Sequence, residues 1–325
     1  MPFQIIRHDI TQVVADAIVN TANPQPRVGS GTDSAIYKAA GQAQLLAARQ
    51  AIGQLAPGEV AATPAFALSA RYILHTVGPV WQDGAHGESD ILRACYSRTL
   101  ALAADLECES IAFPLIASGV YGIPKEAALD IDLSEIGKFL LNHDLYILLV
   151  VFDRRAVVLS QAIVGAIDVY IDEHQAAALH AEEYRGDEGE TLRRRRLQNT
   201  NVRPSLESVL ACREADFRQQ LFALIDASGL DDTTVYKRAN LDRKLFSRIR
   251  CKQDYQPTKK TAVALAVALH LDLAAARDLL ARAGLALSPS NRFDLIVSYF
   301  IEQGVYDINA INAALFHYDE PLLGV

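Results

Sequence analysis

At 325 residues the chain exceeds one average domain, so two domains are expected, and with half of its residues hydrophobic each can bury a core. The formal net charge of −8 is carried by the first part: residues 1–175 hold 11 Lys/Arg against 19 Asp/Glu, while residues 176–325 hold 20 of each. That acidity argues against a broad nucleic-acid surface in the first half, whereas a small ligand held by backbone amides needs no basic surface.

In chain order, Phe3–Ile6 and Ala17–Val19 read as strands, Ser34–Gln54 as helix, Tyr72–Val77 as strand and Asp90–Asp105 as helix. Ser110–Pro114 reads as a buried strand with a sharp stop, Lys125–Asn142 as helix, Tyr146–Phe152 as a fully apolar strand and Arg155–Asp172 as a last helix. Strands alternating with helices predict a sheet between helix layers, with ligands outside the carboxyl ends of the strands. From about His174 to Ser205 the pattern gives way to charge, including the run Arg193–Arg196, and reads as a linker. Beyond it, Phe217–Ser228, Asp232–Asn240, Asp242–Lys252, Thr258–His270 and Leu273–Ala283 read as helices spaced by turns, with no strand. The aromatic and apolar stretch Asn291–Val325 is expected to be core or a dimer surface. The division is therefore 1–174, a charged linker 175–205, and an all-α domain 206–325.

The four cysteines form no CxxC pair and no Cys/His cluster has zinc spacing, so they read as reduced thiols and no metal is implied. No charged and apolar leader opens the sequence, and no apolar run reaches membrane-spanning length; a cytoplasmic protein is expected.

Two loops carry the chemistry. Asn20-Thr21-Ala22-Asn23 ends a strand and offers two side-chain amides to sugar hydroxyls, unless these serve only their own turn. Gly29, Ser30 and Gly31 then permit close backbone approach to a ligand, and Asp33 opens a helix whose free N–H groups suit a phosphate. Asp33 on its own could equally be an ordinary N-cap. In the second loop, Phe113–Pro124, residues Ser118 to Gly122 can present successive N–H groups to a diphosphate, and Tyr121 can cover a sugar.

Taken with Asp9-Ile10-Thr11, Asp16–Asn23, Gly29–Gly41 and His75–Trp81, these loops pace most of residues 3–170 in the order and spacing of the macrodomain family, which the sequence resembles. The resemblance implies a three-layer α/β/α fold that binds ADP-ribose without a cofactor. Asp9 would accept from the adenine amino group beside Ile10, and Phe152 would stack on adenine, or else is plain strand core. Gly29, Ser30, Gly31, Ala117, Ser118, Gly119, Val120, Tyr121 and Gly122 would line the phosphate and ribose sites. His75 and Trp81 read as packed structural residues.

Within the family, the MacroD-type branch cleaves ADP-ribose from an acceptor, and its catalytic asparagines and aspartate match Asn20, Asn23 and Asp33. Asn20 would orient the distal ribose and Asp33 would position or deprotonate a water held against the phosphate. Val28, Ser30 and Arg27 depart from that branch's glycine run, and Tyr37 stands where a histidine is common. A reader or sensor of ADP-ribose or a related NAD-derived signal is the rival to an ADP-ribosyl hydrolase.

Residues 217–284 resemble lambda-repressor-like (XRE) helix-turn-helix domains, with Asp242–Cys251 as the recognition helix. The resemblance implies DNA contacts from Arg243, Lys244, Arg248 and Arg250, with docking of a protein partner as the alternative. If the C-terminal extension is a dimer surface, a homodimer is the further partner expected.

Overall fold

The computed structural model describes residues 3–116, 119, 121–152, 157, 159–177 and 215–324. Its first half is built on one six-stranded sheet. The strands are β1 (Phe3–Arg7), β2 (Ala17–Thr21), β3 (Val60–Pro64), β4 (Tyr72–Thr76), β5 (Ser110–Pro114) and β6 (Tyr146–Val151), ordered β1-β6-β5-β2-β4-β3. All neighbours pair in parallel except β3, which runs antiparallel to β4 at the far edge.

Successive strand residues serve opposite faces. Val19, Leu74, Ile111, Phe113, Ile147 and Leu149 pack beneath α3 (Glu88–Asp105) and α4 (Lys125–Leu140). Ile18, Ile73, Ala112, Leu148 and Val150 pack against α1 (Thr32–Ala40) and α2 (Gln42–Ile52). The result is the three-layer α/β/α arrangement expected, with a mixed sheet. The single helix expected over Ser34–Gln54 is two. Gly41, at φ 101°, breaks it, because that backbone conformation cannot continue a right-handed helix.

A helix over residues 161–177, here α5, crosses into the second half. Its Ile167 and Ile171 join the all-α core, Tyr170 lies edge-on to Tyr299 at 5.5 Å, and Tyr318 Oη donates to Asp168 at 2.7 Å. The boundary expected at residue 174 thus falls inside a continuous helix. The linker's arginine run lies outside the described residues.

Among the described residues, seven helices follow: α6 (Phe217–Ser228), α7 (Asp232–Arg238), α8 (Arg243–Cys251), α9 (Lys259–Ala268), α10 (Leu273–Ala281), α11 (Arg292–Glu302) and α12 (Ile308–His317). Side-chain caps start them cleanly: Asp216, Asp231, Asp242, Thr258, Asp272, Asn291 and Asp307 each accept from a first-turn N–H. The apolar extension is core, with Phe293, Ile296, Phe300, Ile311 and Leu315 buried in the helical cluster. No described helix is long and apolar enough to cross a membrane.

The two halves are docked. Ala313 of α12 lies in the core beneath α3 and α4, and Lys237 pairs with Asp144 at 3.5 Å while donating to the Leu141 carbonyl at 3.3 Å. Asn240, at φ 54° in the turn between α7 and α8, accepts from Phe3 N–H at 2.6 Å and donates to Phe3 C=O at 2.8 Å. A cleft of about 740 Å³ between α4 and the helical half is lined by Lys138, Lys237, Arg238, His270 and Tyr306.

Candidate functional site

Asn20 and His75 are direct partners across β2 and β4, and both project to the face covered by α1 and α2, as Ile18 and Ile73 do two residues earlier. Both are fully buried. Asn20 Nδ2 donates to Asp33 Oδ1 at 2.7 Å and lies 3.1 Å from His75 Nδ1, while His75 Nε2 lies 2.9 Å from Thr63 Oγ1 on β3. The sequence reading has Asn20 meeting the sugar directly. In the structure it stands behind Asp33 instead, because the strand's alternation turns its side chain under α1.

Asp33 is the second residue of α1 and not its cap. Gly31, at φ 60°, occupies the N-cap position, so no cap side chain satisfies the first-turn N–H groups among the described residues. Asp33 is 3% exposed, and its Oδ2 accepts from Gly29 N–H at 2.5 Å, which folds the glycine loop back over the carboxylate. A cavity of about 480 Å³ opens here, lined by Asn23, Gly29, Ser30, Gly31, Asp33, Leu115, Gly119 and Tyr121, with Arg27 and Val28 at its wall. Described residues of both ligand loops meet on this cavity.

On the far wall, Gly122 N–H donates to Gly119 C=O at 3.0 Å, and Trp81 N–H donates to Tyr121 C=O at 2.8 Å. Ile116 N–H reaches the buried Tyr96 hydroxyl at 3.1 Å, anchoring the loop's entry. Ala117, Ser118 and Val120 lie outside the described residues. Asp9, Ile10 and Phe152 do not line this cavity. They follow β1 and β6, which are neighbours joined at this end by His8 N–H to Val151 C=O at 3.1 Å. Asp9 Oδ1 accepts from Thr11 N–H at 2.9 Å and Thr11 Oγ1 at 2.8 Å, and Phe152 is 82% exposed, so it is not strand core.

Burial raises the Asp33 carboxyl above its ordinary value, against the opposing pull of Asn20, Gly29 N–H and the Arg49 charge. Burial, helped by Arg49, pushes His75 down to about 3, so its ring is neutral. Tyr37, buried next to Asp33, is pushed up to about 12.

This crevice belongs to a stretch with many relatives. A family model described as Macro domain matches residues 19–131. A macro domain-containing protein of Chlorobaculum tepidum is 42% identical over 147 residues, 44% of this chain and 85% of the relative. An O-acetyl-ADP-ribose deacetylase of Salmonella newport is 44% identical over 145 residues, 44% of this chain and 81% of that one. The chain belongs to the macrodomain family. The solved macrodomain of Oceanobacillus iheyensis with ADP is 36% identical, covers 47% of this chain and 85% of its own, and has a TM-score of 0.46.

One part of the macrodomain crevice went unnoticed in the sequence. Arg49 of α2 is 1% exposed and donates to the Gly53 carbonyl and to the carbonyls of Asn23 at 3.3 Å and Pro24 at 3.4 Å, pinning the start of the first loop from below. The only available signal was an arginine on the helix following the loop. Beyond the macrodomain, Arg243, Lys244 and Arg248 stand exposed on α8. Arg250 is engaged within the fold: it pairs with Asp232 at 2.6 Å and lies over the Phe222 ring at 4.7 Å.

Proposed function

We propose that the crevice binds ADP-ribose and hydrolyses the bond joining it to an acceptor, an O-acyl ester or a mono-ADP-ribosylated protein. The observation that carries this reading is the Asp33 carboxylate, held on the cavity wall by Asn20 Nδ2 at 2.7 Å and Gly29 N–H at 2.5 Å. The diphosphate meets the uncapped start of α1 and the Gly119–Gly122 loop. Adenine lies at the ends of β1 and β6, accepted by Asp9 beside Ile10 and stacked on Phe152. Asn23 faces the distal ribose, and Tyr121 covers it. Asp33 orients a water against the acceptor bond. Both Asp33 oxygens already accept hydrogen bonds, which fixes the carboxylate's direction, and positioning supplies much of the acceleration. Two relatives named O-acetyl-ADP-ribose deacetylase, 43–44% identical across this region, support the ester as substrate.

The full chain incubated with O-acetyl-ADP-ribose and, separately, with a mono-ADP-ribosylated protein should release acetate or free ADP-ribose. Asp33→Ala should abolish release while ADP-ribose still binds. No release by the wild-type chain, or unchanged release by Asp33→Ala, overturns the reading.

A second reading, a sensor that reports ADP-ribose to DNA, is favoured by one observation. The turn that leads into the exposed cationic helix α8 is the same turn that grips β1 through Asn240. In that case ADP-ribose changes the affinity of the full chain for duplex DNA, and an unchanged affinity excludes it.

A further inference from the structure

The buried polar row Thr63–His75–Asn20–Asp33 crosses three strands and ends on the cavity wall. Ala61 and His75 are register partners on β3 and β4, and Thr63 lies two residues further along the same face of β3. His75 Nε2 lies 2.9 Å from Thr63 Oγ1, and its Nδ1 lies 3.1 Å from Asn20 Nδ2. An amide nitrogen carries two hydrogens and accepts nothing. One Asn20 hydrogen goes to Asp33 Oδ1, so the other points at His75, and Nδ1 must offer its lone pair. The ring is therefore the Nε2–H tautomer, donating to Thr63. Reversing the Asn20 amide would turn Oδ1 against the Asp33 carboxylate, a repulsive contact in a buried layer.

We propose that His75 is a positioning residue for the hydrolysis. As a neutral acceptor it fixes the orientation of the Asn20 amide, which in turn fixes the Asp33 carboxylate against the water. The proposal rests on the hydrolase reading for its kinetic consequence but not for its geometry. His75 is fully buried and does not line the cavity. It acts through Asn20, and its neutrality follows from its complete burial, with the buried Arg49 guanidinium as the charge acting on it. The same histidine, packed under α1, looks purely structural in the sequence.

The test has three arms on the full chain. Nitrogen-15 NMR of the unaltered protein should find His75 as the Nε2–H tautomer from pH 5 to 8, without titrating; an Nδ1–H tautomer, or a titration in that range, overturns the proposal. His75→Leu removes the acceptor and should lower kcat at least about tenfold, within the roughly hundredfold that an ångström of misplacement costs, while KM and the ADP-ribose Kd stay within about twofold. His75→Asn, whose Oδ1 can stand where Nδ1 stood, should recover most of that loss. Equal kcat in both variants, whether normal or impaired, overturns the proposal, since a merely structural role would not separate them.

Carbon-13 titration of the Asp33 carboxyl supplies a readout that needs no turnover. In His75→Leu the carboxyl should titrate at higher pH than in the wild type, because the freed Asn20 amide no longer favours the ionised form. An unchanged Asp33 titration counts against the proposal. If the wild-type chain releases nothing, the hydrolase reading fails, and the tautomer and Asp33 titration still decide the positioning. Should the histidine variants not fold, the unaltered-protein tautomer decides alone.

Discussion

Asn240 holds the backbone of Phe3 much as a neighbouring strand would, with Oδ1 accepting from its N–H at 2.6 Å and Nδ2 donating to its C=O at 2.8 Å. Phe3 opens β1, the edge of the sheet, so one side chain from the helical half satisfies an edge that would otherwise present unpaired backbone. Asn240 has a left-handed backbone, φ 54°, so glycine fits its place without strain and alanine does not. Asn240→Gly should keep the α7–α8 turn and lose the grip. Stability should fall by about 1–3 kcal/mol for the buried groups left unpaired. Hydrogen exchange should show faster amide exchange in β1, with β4 and β5 little changed.

Gly29 sits where a side chain has no room. A Cβ there would stand 2.5 Å from Asn23 Nδ2 and 2.9 Å from Asp33 Oδ2. Gly29→Ala should displace the carboxylate and lower kcat by about tenfold or more, with only modest loss of thermal stability. Gly31→Ala separates space from backbone. Nothing lies within 4 Å of its Cβ, but φ is +60°, so this variant should cost about 1–2 kcal/mol of stability by urea titration.

Asp132 of α4 is fully buried, and neither carboxyl oxygen has a hydrogen-bond partner among the described residues. Burial holds it well above the ordinary carboxyl range, so it folds as the neutral acid. The unfolded chain releases that proton near 3.8, so its contribution to stability is fully present below that pH and is lost as pH rises. Asp132→Asn removes the group that titrates. Its stability relative to the wild type should increase between pH 4 and pH 8, by up to about 1.4 kcal/mol per pH unit. A parallel pair of stability curves across that range would contradict the assignment.

If α8 enters a major groove, Arg243, Lys244 and Arg248 are exposed cations on it. Replacing all three with alanine should flatten the salt dependence of duplex binding, lowering the slope of log K against log salt by about 2.7, as three lost phosphate contacts require. Arg250→Ala should behave differently. Its guanidinium serves Asp232 and Phe222, so a small loss of stability, about 1 kcal/mol or less, is expected with little change in slope.

Much of the first half was legible because buried parallel strands are continuous apolar runs and the ligand loops carry unusual residues. Ser110–Pro114 and Phe217–Ser228 fall where the sequence puts them. β3 was missed, since Val60–Pro64 is alanine-rich, ends in proline and pairs only at the edge. The last two helices, Arg292–Glu302 and Ile308–His317, were not assigned from the sequence, which gives Asn291–Val325 only as an apolar and aromatic stretch. In the crevice, Asp33, Gly29 and Tyr121 were readable as loop chemistry. Arg49, Thr63 and the task of His75 were not, because each acts from a different element, and only pairing across strands brings them behind Asp33.

Asn240 also donates to Leu323 C=O at 3.5 Å, and Asn312 holds Leu323 from its other side, accepting its N–H at 2.7 Å. Phe3 and Leu323, 320 positions apart, therefore share one amide. One change at Asn240 therefore loosens two stretches that lie far apart in the sequence, and both should open to proteases together.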